Sequence, residues 1–383
     1  MPDYDTVIVG GGVVGSCAAR ELAADHDVLL VERDQIASSA SGRAAGFVSD
    51  WWAHEGVGHP VSHRLITEFF PSFDGTGHFS FTERPFLTFV DAESAVDLRR
   101  YDGELLEGFE YYPPEAIEER WPDTFDLPET AGAVVDETAG FVDPHTFTVA
   151  LANDAERRGA EIRTDTEVTA IRTERGSVAG VTTERGNVVS AETVVVAAGT
   201  FTRGLLAEYV DIPTRSFTFS NAQLAIDRPL GNDFPMVLAD HVFWRAETGG
   251  NVLVSGGEYW LEERTRGPPN VPTAFRQEVA TVLPRYLADT AGMEYVAESE
   301  HTCPHGVAIA SDMAPIIDRL DRPDGLIVVD GVYGGISTAP AYAAAIRALV
   351  EKTEPPFPLT PFRVDRFDSD AIEFDFDYIK ELP

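Results

Sequence analysis

The chain has 383 residues, 44% of them apolar, enough to bury a large core in two domains, and its two cysteines, Cys17 and Cys303, are too few for a disulfide framework. Its 64 acidic and 29 basic residues give a formal net charge of −35 with no cationic stripe, which excludes nucleic acid as a partner, and no apolar run is long enough to span a membrane. Self-repulsion on this scale is relieved when salt shortens the Debye length to about 3 Å near 1 M, so the composition predicts a halophilic protein, and a first strand that starts close to Met1 leaves no room for a signal peptide and predicts a cytoplasmic one.

Val7-Ile8-Val9 runs into Gly10-Gly11-Gly12-Val13-Val14-Gly15, and Val28-Leu29-Leu30-Val31 ends in Glu32. Strand, glycine turn, helix, strand and terminal acid in that order form a dinucleotide-binding fingerprint; a merely glycine-rich turn is the competing reading. Gly10 permits the tight turn, Gly12 lets the backbone approach a pyrophosphate, and Gly15 lets the helix lie close against the strand. The helix N-terminus favours the anion, and Glu32 accepts hydrogen bonds from a ribose 2′-OH. The small, polar run from Ser38 to Gly46 is either a flexible loop or a loop and helix start beside a cofactor ring, and its place after the Glu32 strand favours the second.

Between 81 and 140, and again between 205 and 300, Pro-punctuated segments and longer alternating strands, such as 216–226 and 251–255, predict an antiparallel substrate domain inserted into the first one. Near Phe141 the nucleotide-binding pattern resumes. Asp143-Pro144 opens a helix over 147–158 that Gly159 ends, short strands follow at 160–163, 167–171 and 178–181, and Glu192 to Gly199 reads as a buried parallel strand. A helix over 273–289 tolerates Pro284 only with a kink or break. Strand 325–331, a glycine turn to Pro340 and an apolar helix over 341–350 close the pattern. The expected fold is therefore α/β, a Rossmann-like domain (1–80, 141–204 and 301–352) with a discontinuous antiparallel-sheet substrate domain (81–140 and 205–300), and 353–383 as a solvated acidic C-terminal tail.

A nicotinamide cofactor would leave the Ser38–Gly46 run and the C-terminal glycine turn without a task. FAD uses both, because its flat ring is edged by backbone amides from several loops and a helix N-terminus stabilises negative charge on the reduced ring. Gly334, Gly335 and Ile336 are placed for that role.

On these residues, together with Ser41-Gly42-Arg43-Ala44-Ala45-Gly46, Ser311 to Asp318 and Gly331 to Pro340, nearly the whole chain resembles the FAD-dependent amine and D-amino acid oxidoreductases of the D-amino acid oxidase superfamily. Ser41 to Ala45 and Phe81 to Val90 are most similar to its D-amino acid dehydrogenases of the D-arginine type; sarcosine and glycine oxidases are related. The resemblance implies FAD contacts from Gly10, Gly12, Gly15, Glu32, Arg33, Ser41, Arg43, Ala44, Ala45, Gly46, Val168, Ala198, Gly199, Gly334, Gly335, Ile336 and Thr338. It also implies hydride transfer from a C–H beside a neutral amine to flavin N5, giving an imine that water hydrolyses. The partner is then a small-molecule amine or amino acid, with electron acceptor and oligomeric state left open.

Many relatives carry a carboxylate-binding arginine five residues before the aspartate matching Asp312, where this chain has Val307. Arg245 and Arg43 are the proposed substitutes, against a surface or FAD-phosphate role for either. Tyr333 either hydrogen-bonds substrate or fills the pocket wall, His305 is a further active-site candidate, and Trp51, Trp52, Trp244, Tyr259 and Trp260 are candidates to cage an amine. The His301-Thr302-Cys303-Pro304-His305 cluster lacks metal-ligand spacing, so no metal is expected. Cys303 is either a buried thiol or, as in sarcosine oxidases, a thioether to the flavin. Those oxidases also place a lysine over the flavin, whereas only Lys352 and Lys380 occur here, which favours a dehydrogenase. The alternatives are an FAD dehydrogenase of a hydroxy substrate, such as glycerol 3-phosphate or a 2-hydroxy acid, and an FAD-binding subunit of a larger complex.

Overall fold

The computed structural model describes residues 2–49, 60–90, 108–127, 132–247, 249–261, 270–297, 299–367, 374–376 and 379. Four apolar runs, Tyr4–Val9, Val28–Val31, Ala191–Val196 and Leu326–Asp330, pair in parallel at the centre of a six-stranded sheet. Glu161–Arg163 extends it in parallel at one edge, and Ile316–Arg319 closes the other edge antiparallel. These central strands are buried on both faces, which is why they read as continuous Val/Ile/Leu runs rather than alternating ones.

One face of the sheet is covered by the helices Val13–Leu22, Pro144–Arg158 and Gly335–Glu351. Asp143 caps the second of these, its carboxylate accepting the Thr146 N–H at 2.6 Å, and Gly159 ends it at φ +117°. The last helix starts at Gly335 rather than at 341 and carries Pro340 inside it. A three-stranded meander, Val168–Glu174, Ser177–Thr183 and Val188–Val189, lies on the opposite face.

Among the described residues the substrate-side sheet has ten strands built around Thr214–Ala225, which pairs with Val252–Leu261 on one side and with Glu294–Tyr295, His301–Thr302 and Val307–Ala310 on the other. It is not wholly antiparallel: Met236–Ala239 runs parallel to Phe86–Val90. Helix Thr273–Tyr286 packs on its outer face through Phe275, Val279 and Leu283, and it ends two residues after Pro284 instead of reaching 289.

Three expected boundaries move. Phe81–Glu83 joins Phe47–Val48 and Gly140–Val142 in a separate small sheet, because its partners come from the nucleotide side. Residues 301–310 belong to the large sheet through their pairing with Thr214–Ser220 and the next residue, Asn221, so the return to the nucleotide domain comes after Ala310 rather than at 301. The C-terminal tail is not merely solvated: Phe357 and Phe362 are buried in the main core, Val364 N–H donates to Asp318, and Arg366 makes a forked pair with Asp312. Among the described residues no helix is long and apolar enough to cross a membrane.

Candidate functional site

The carboxyl ends of the parallel strands open into one cavity of about 1050 Å³ that runs on against the inner face of the large sheet. That volume stands at the upper end of small-molecule sites, about 300–1,000 Å³. Its lining includes Glu32, Arg33 and Val168, Gly10 to Val14, Ser41, Ala44 to Gly46, Ala198 to Gly199, Gly334 to Ile336, Tyr333, His305, Phe243, Glu258 and Trp260.

Each glycine of the turn has its own geometric reason. Gly10 sits at φ +114°, and a Cβ there would stand 2.4 Å from the Ala197 carbonyl oxygen. Gly15 lies behind the cavity, where a Cβ would fall 2.0 Å from the Gly10 carbonyl oxygen, so its absence sets how closely the first helix approaches the first strand. Glu32 accepts the Gly11 N–H at 2.7 Å on one oxygen and the Asp34 N–H at 2.8 Å on the other, and a carboxylate has about four lone-pair sites, so acceptor capacity remains for hydroxyls. Arg33 lies 4.2 Å over the Phe201 ring, which in turn meets the His305 ring edge-on at 5.2 Å. Ser41, in the short helix Ala40–Arg43, reaches back to accept the Val13 N–H at 2.9 Å and so caps the first helix.

Several expected site residues stand elsewhere. Arg43 turns away from the cavity and donates to the carbonyls of Ser38 and Ser39, while its own carbonyl accepts from Asn221, so it braces the loop whose neighbours line the cavity. Thr338 is buried one turn into the last helix and donates to the Gly334 carbonyl at 3.2 Å. Arg245 does not line the cavity. Its buried guanidinium pairs with Glu247 at 3.2 Å, lies 4.1 Å over Phe141 and is 3.5 Å from the Ala45 carbonyl, and burial holds its pKa below the usual range. The expected carboxylate clamp is therefore a strut behind the 44–46 loop.

The Cys303 thiol points at the Gly306 carbonyl, is fully buried and lies outside the cavity lining; burial pushes it up to about 11. That position favours the buried-thiol alternative over the thioether. His301 faces Asn221 and the Ser299 carbonyl, away from His305 on Phe201. Trp244 is in the core on the far side of the large sheet, Tyr259 is buried, Trp260 alone of the proposed cage residues described lines the cavity, and Trp51 and Trp52 lie outside the described residues.

The lining residues that the sequence did not single out include Arg203, Arg215, Glu258 and Asp330. The Tyr333 hydroxyl donates to Glu258 at 3.2 Å. Asp330 accepts the Gly331 N–H at 2.8 Å and the Thr214 hydroxyl at 3.1 Å, and burial raises its pKa to about 7.

The FAD-dependent oxidoreductase family model (DAO) matches residues 5–349. The chain belongs to that family. Sarcosine oxidase subunit beta of Rhizobium meliloti is 25% identical over 385 residues, covering 96% of this chain and 89% of the relative. The 4-methylaminobutanoate oxidase (formaldehyde-forming) of Paenarthrobacter nicotinovorans is 26% identical over 248 residues, 60% of this chain, which spans only 30% of that relative's length. Glycine oxidase from Geobacillus kaustophilus has the same fold, with a TM-score of 0.82 at 23% identity over 96% of this chain and all of its own.

The residues present fit FAD. Gly12 and Val14 at one helix start, and Gly335 and Ile336 at another, line the cavity, and their amides make no hydrogen bond to protein among the described residues. Two helix starts with free donors on one cavity that Glu32 also lines match a dinucleotide whose phosphates and flavin ring both need backbone donors.

Proposed function

We propose that this family member oxidises the C–N bond of an amino acid or secondary amine and passes the electrons to an acceptor other than oxygen. The observation that carries this reading is the part of the cavity where Glu258 and Tyr333 form a hydrogen-bonded pair, with Tyr333 packed in the same cluster as Trp260 and immediately next to the Gly334–Ile336 turn. Bound FAD supplies a two-electron acceptor for the hydride leaving the substrate carbon. An ammonium entering beside Glu258 gives its proton to that carboxylate, with Tyr333 fixing the carboxylate's orientation, and the amine is left neutral with a lone pair able to form the imine. The apolar walls of Phe243, Trp260 and Ile336 keep water from the reacting carbon. Gly12, Val14, Gly335 and Ile336 would hold the cofactor through their amides, and Glu32 its ribose. Names of the relatives, a sarcosine oxidase subunit and a methylaminobutanoate oxidase, favour N-methylated amino acids as the first substrates to try. The charge of −35 supports a halophilic, cytoplasmic setting, and Lys352 is spent on an ion pair with Asp324 at the end of the last helix.

The protein is purified in high salt and its visible spectrum recorded anaerobically before and after mixing with sarcosine, glycine and D-amino acids. Bleaching of the flavin band by one of them is the expected result. A yellow protein that no amine reduces refutes the reading, and bleaching by a 2-hydroxy acid or glycerol 3-phosphate would replace it.

A further inference from the structure

We propose that the C-terminal segment at Phe374–Phe376 is part of the substrate site, and that it holds Arg215 as the group that reads the substrate's carboxylate. The inference rests on the amine-oxidation reading above and adds to it the residue that replaces the missing cation at Val307.

The register of the large sheet places these residues together. Phe217 lies opposite Val307 on one neighbouring strand and opposite Trp260 on the other, and Arg215 lies opposite Ile309. Directly opposed residues share a face, so Arg215 stands diagonally beside Val307 on the face that carries Trp260. A guanidinium rooted at 215 therefore covers the wall where the short Val307 side chain stops. Arg215 lines the cavity and, among the described residues, makes no ion pair, in a chain whose acids outnumber its bases 64 to 29. Arg203 lines the cavity without an ion pair as well and donates to the Thr214 carbonyl, but it is Arg215 that the register sets beside Val307 and Trp260.

What holds Arg215 instead is the tail. Its guanidinium lies 3.8 Å over the Trp260 ring and 5.8 Å over Phe374, and it donates to the Phe374 carbonyl. The Trp260 indole N–H donates to Asp375 at 2.6 Å, and the same carboxylate oxygen accepts the Phe376 N–H at 2.9 Å. Phe374 and Phe376 flank the indole with ring centroids at 5.9 and 6.3 Å, and Ile379 is buried in the same cluster. One bond to Phe374 uses one of about five guanidinium donors, which leaves a planar pair for a bidentate carboxylate. The stacking on Trp260 fixes the plane of that fork, a task a lysine would not perform.

Acetate, a carboxylate with no amine to oxidise, is titrated into the full-length FAD-loaded protein at constant ionic strength and followed by the flavin spectrum and by equilibrium dialysis, with acetamide as the neutral control. Wild type binds acetate and prefers it to acetamide. Arg215→Met raises the acetate Kd about tenfold or more, the usual loss of a charge-assisted pair, and leaves acetamide unchanged. Asp375→Ala, which frees Trp260, raises the acetate Kd severalfold while the protein keeps its FAD. Equal acetate affinity in wild type and Arg215→Met, or no acetate binding by wild type, overturns the anion site; weakened binding in Arg215→Met with an unchanged Asp375→Ala overturns the role of the tail. Should Arg215→Met fail to load FAD, Arg215→Lys decides: near-wild-type acetate affinity there overturns the stacked fork. A protein that an amine bleaches but whose acetate binding ignores Arg215 keeps the amine reading and loses this one. Arg215-dependent acetate binding in a protein that no amine bleaches does the reverse.

Discussion

Replacing Asp330 by asparagine should stabilise the protein at neutral pH and leave it unchanged in acid. Asp330 ends the strand Leu326–Asp330, is fully enclosed, and ties the Gly331 N–H to the Thr214 hydroxyl, joining the flavin-side glycine turn to the central strand of the substrate sheet. Loss of water around the carboxylate is the dominant cause that moves its pKa from the ordinary 3.8 to about 7, against the opposing pull of the two hydrogen bonds. Because the folded value is raised, the group's contribution is fully present below about pH 3.8, where the folded and unfolded chains are both protonated. It is lost as pH rises towards 7, because the unfolded carboxyl ionises freely while the folded one must stay neutral or ionise in the core. At about 1.4 kcal/mol per pH unit the loss is on the order of 4 kcal/mol. Asparagine keeps an oxygen for Gly331 and offers an N–H to the Thr214 oxygen, so both ties survive without a charge. Chemical unfolding of both proteins at one KCl concentration, with FAD in excess, should give curves that coincide near pH 4 and diverge in favour of Asp330→Asn up to about pH 7, then run parallel. A difference that does not change with pH, or one that favours wild type increasingly at neutral pH, refutes the argument.

Gly15→Ala would set a methyl 2.0 Å from the Gly10 carbonyl oxygen, so the first helix must move off its strand; a loss of about 1–3 kcal/mol in unfolding experiments and weaker FAD retention on dialysis are expected. Phe362→Ala should cost about 3–5 kcal/mol, since the ring is fully buried against Phe357; a change within about 0.5 kcal/mol would return the tail to the solvated role. Neither Cys17 nor Cys303 should react with iodoacetamide at pH 8 in the native protein, because burial pushes the thiols up to about 12 and about 11; rapid labelling of either shows that its site opens to solvent. The melting temperature should climb steeply from about 0.1 to 2 M KCl as the charge of −35 is screened, and a flat profile removes the halophilic reading.

The nucleotide half was legible because its chemistry is local. Gly10, Gly15 and Glu32 act on neighbours within one strand-turn-helix-strand unit, and the buried runs at 191–196 and 326–330 announce themselves by continuous apolar residues. The substrate end was not, because each of its residues is placed by a partner far along the chain. Alternation suggested a strand starting at Ser216, and the true start at Thr214 is set by pairing with Ala310, so Arg215 fell just outside the expected element and was passed over as a cation. Arg245 and Arg43 sat in better-looking patterns, yet Arg245 is claimed by its neighbour Glu247 and the distant Phe141 ring, and Arg43 by the Ser38 carbonyl five residues back. Phe374 and Phe376 lie in an acidic stretch whose composition reads as solvated, and only the Trp260 ring shows what they cover. A substrate pocket walled by three distant segments has no spacing of its own in the sequence. Its cation could be found only by asking which of the two cavity-wall arginines that make no ion pair among the described residues, Arg203 and Arg215, the sheet register sets beside Val307 and Trp260.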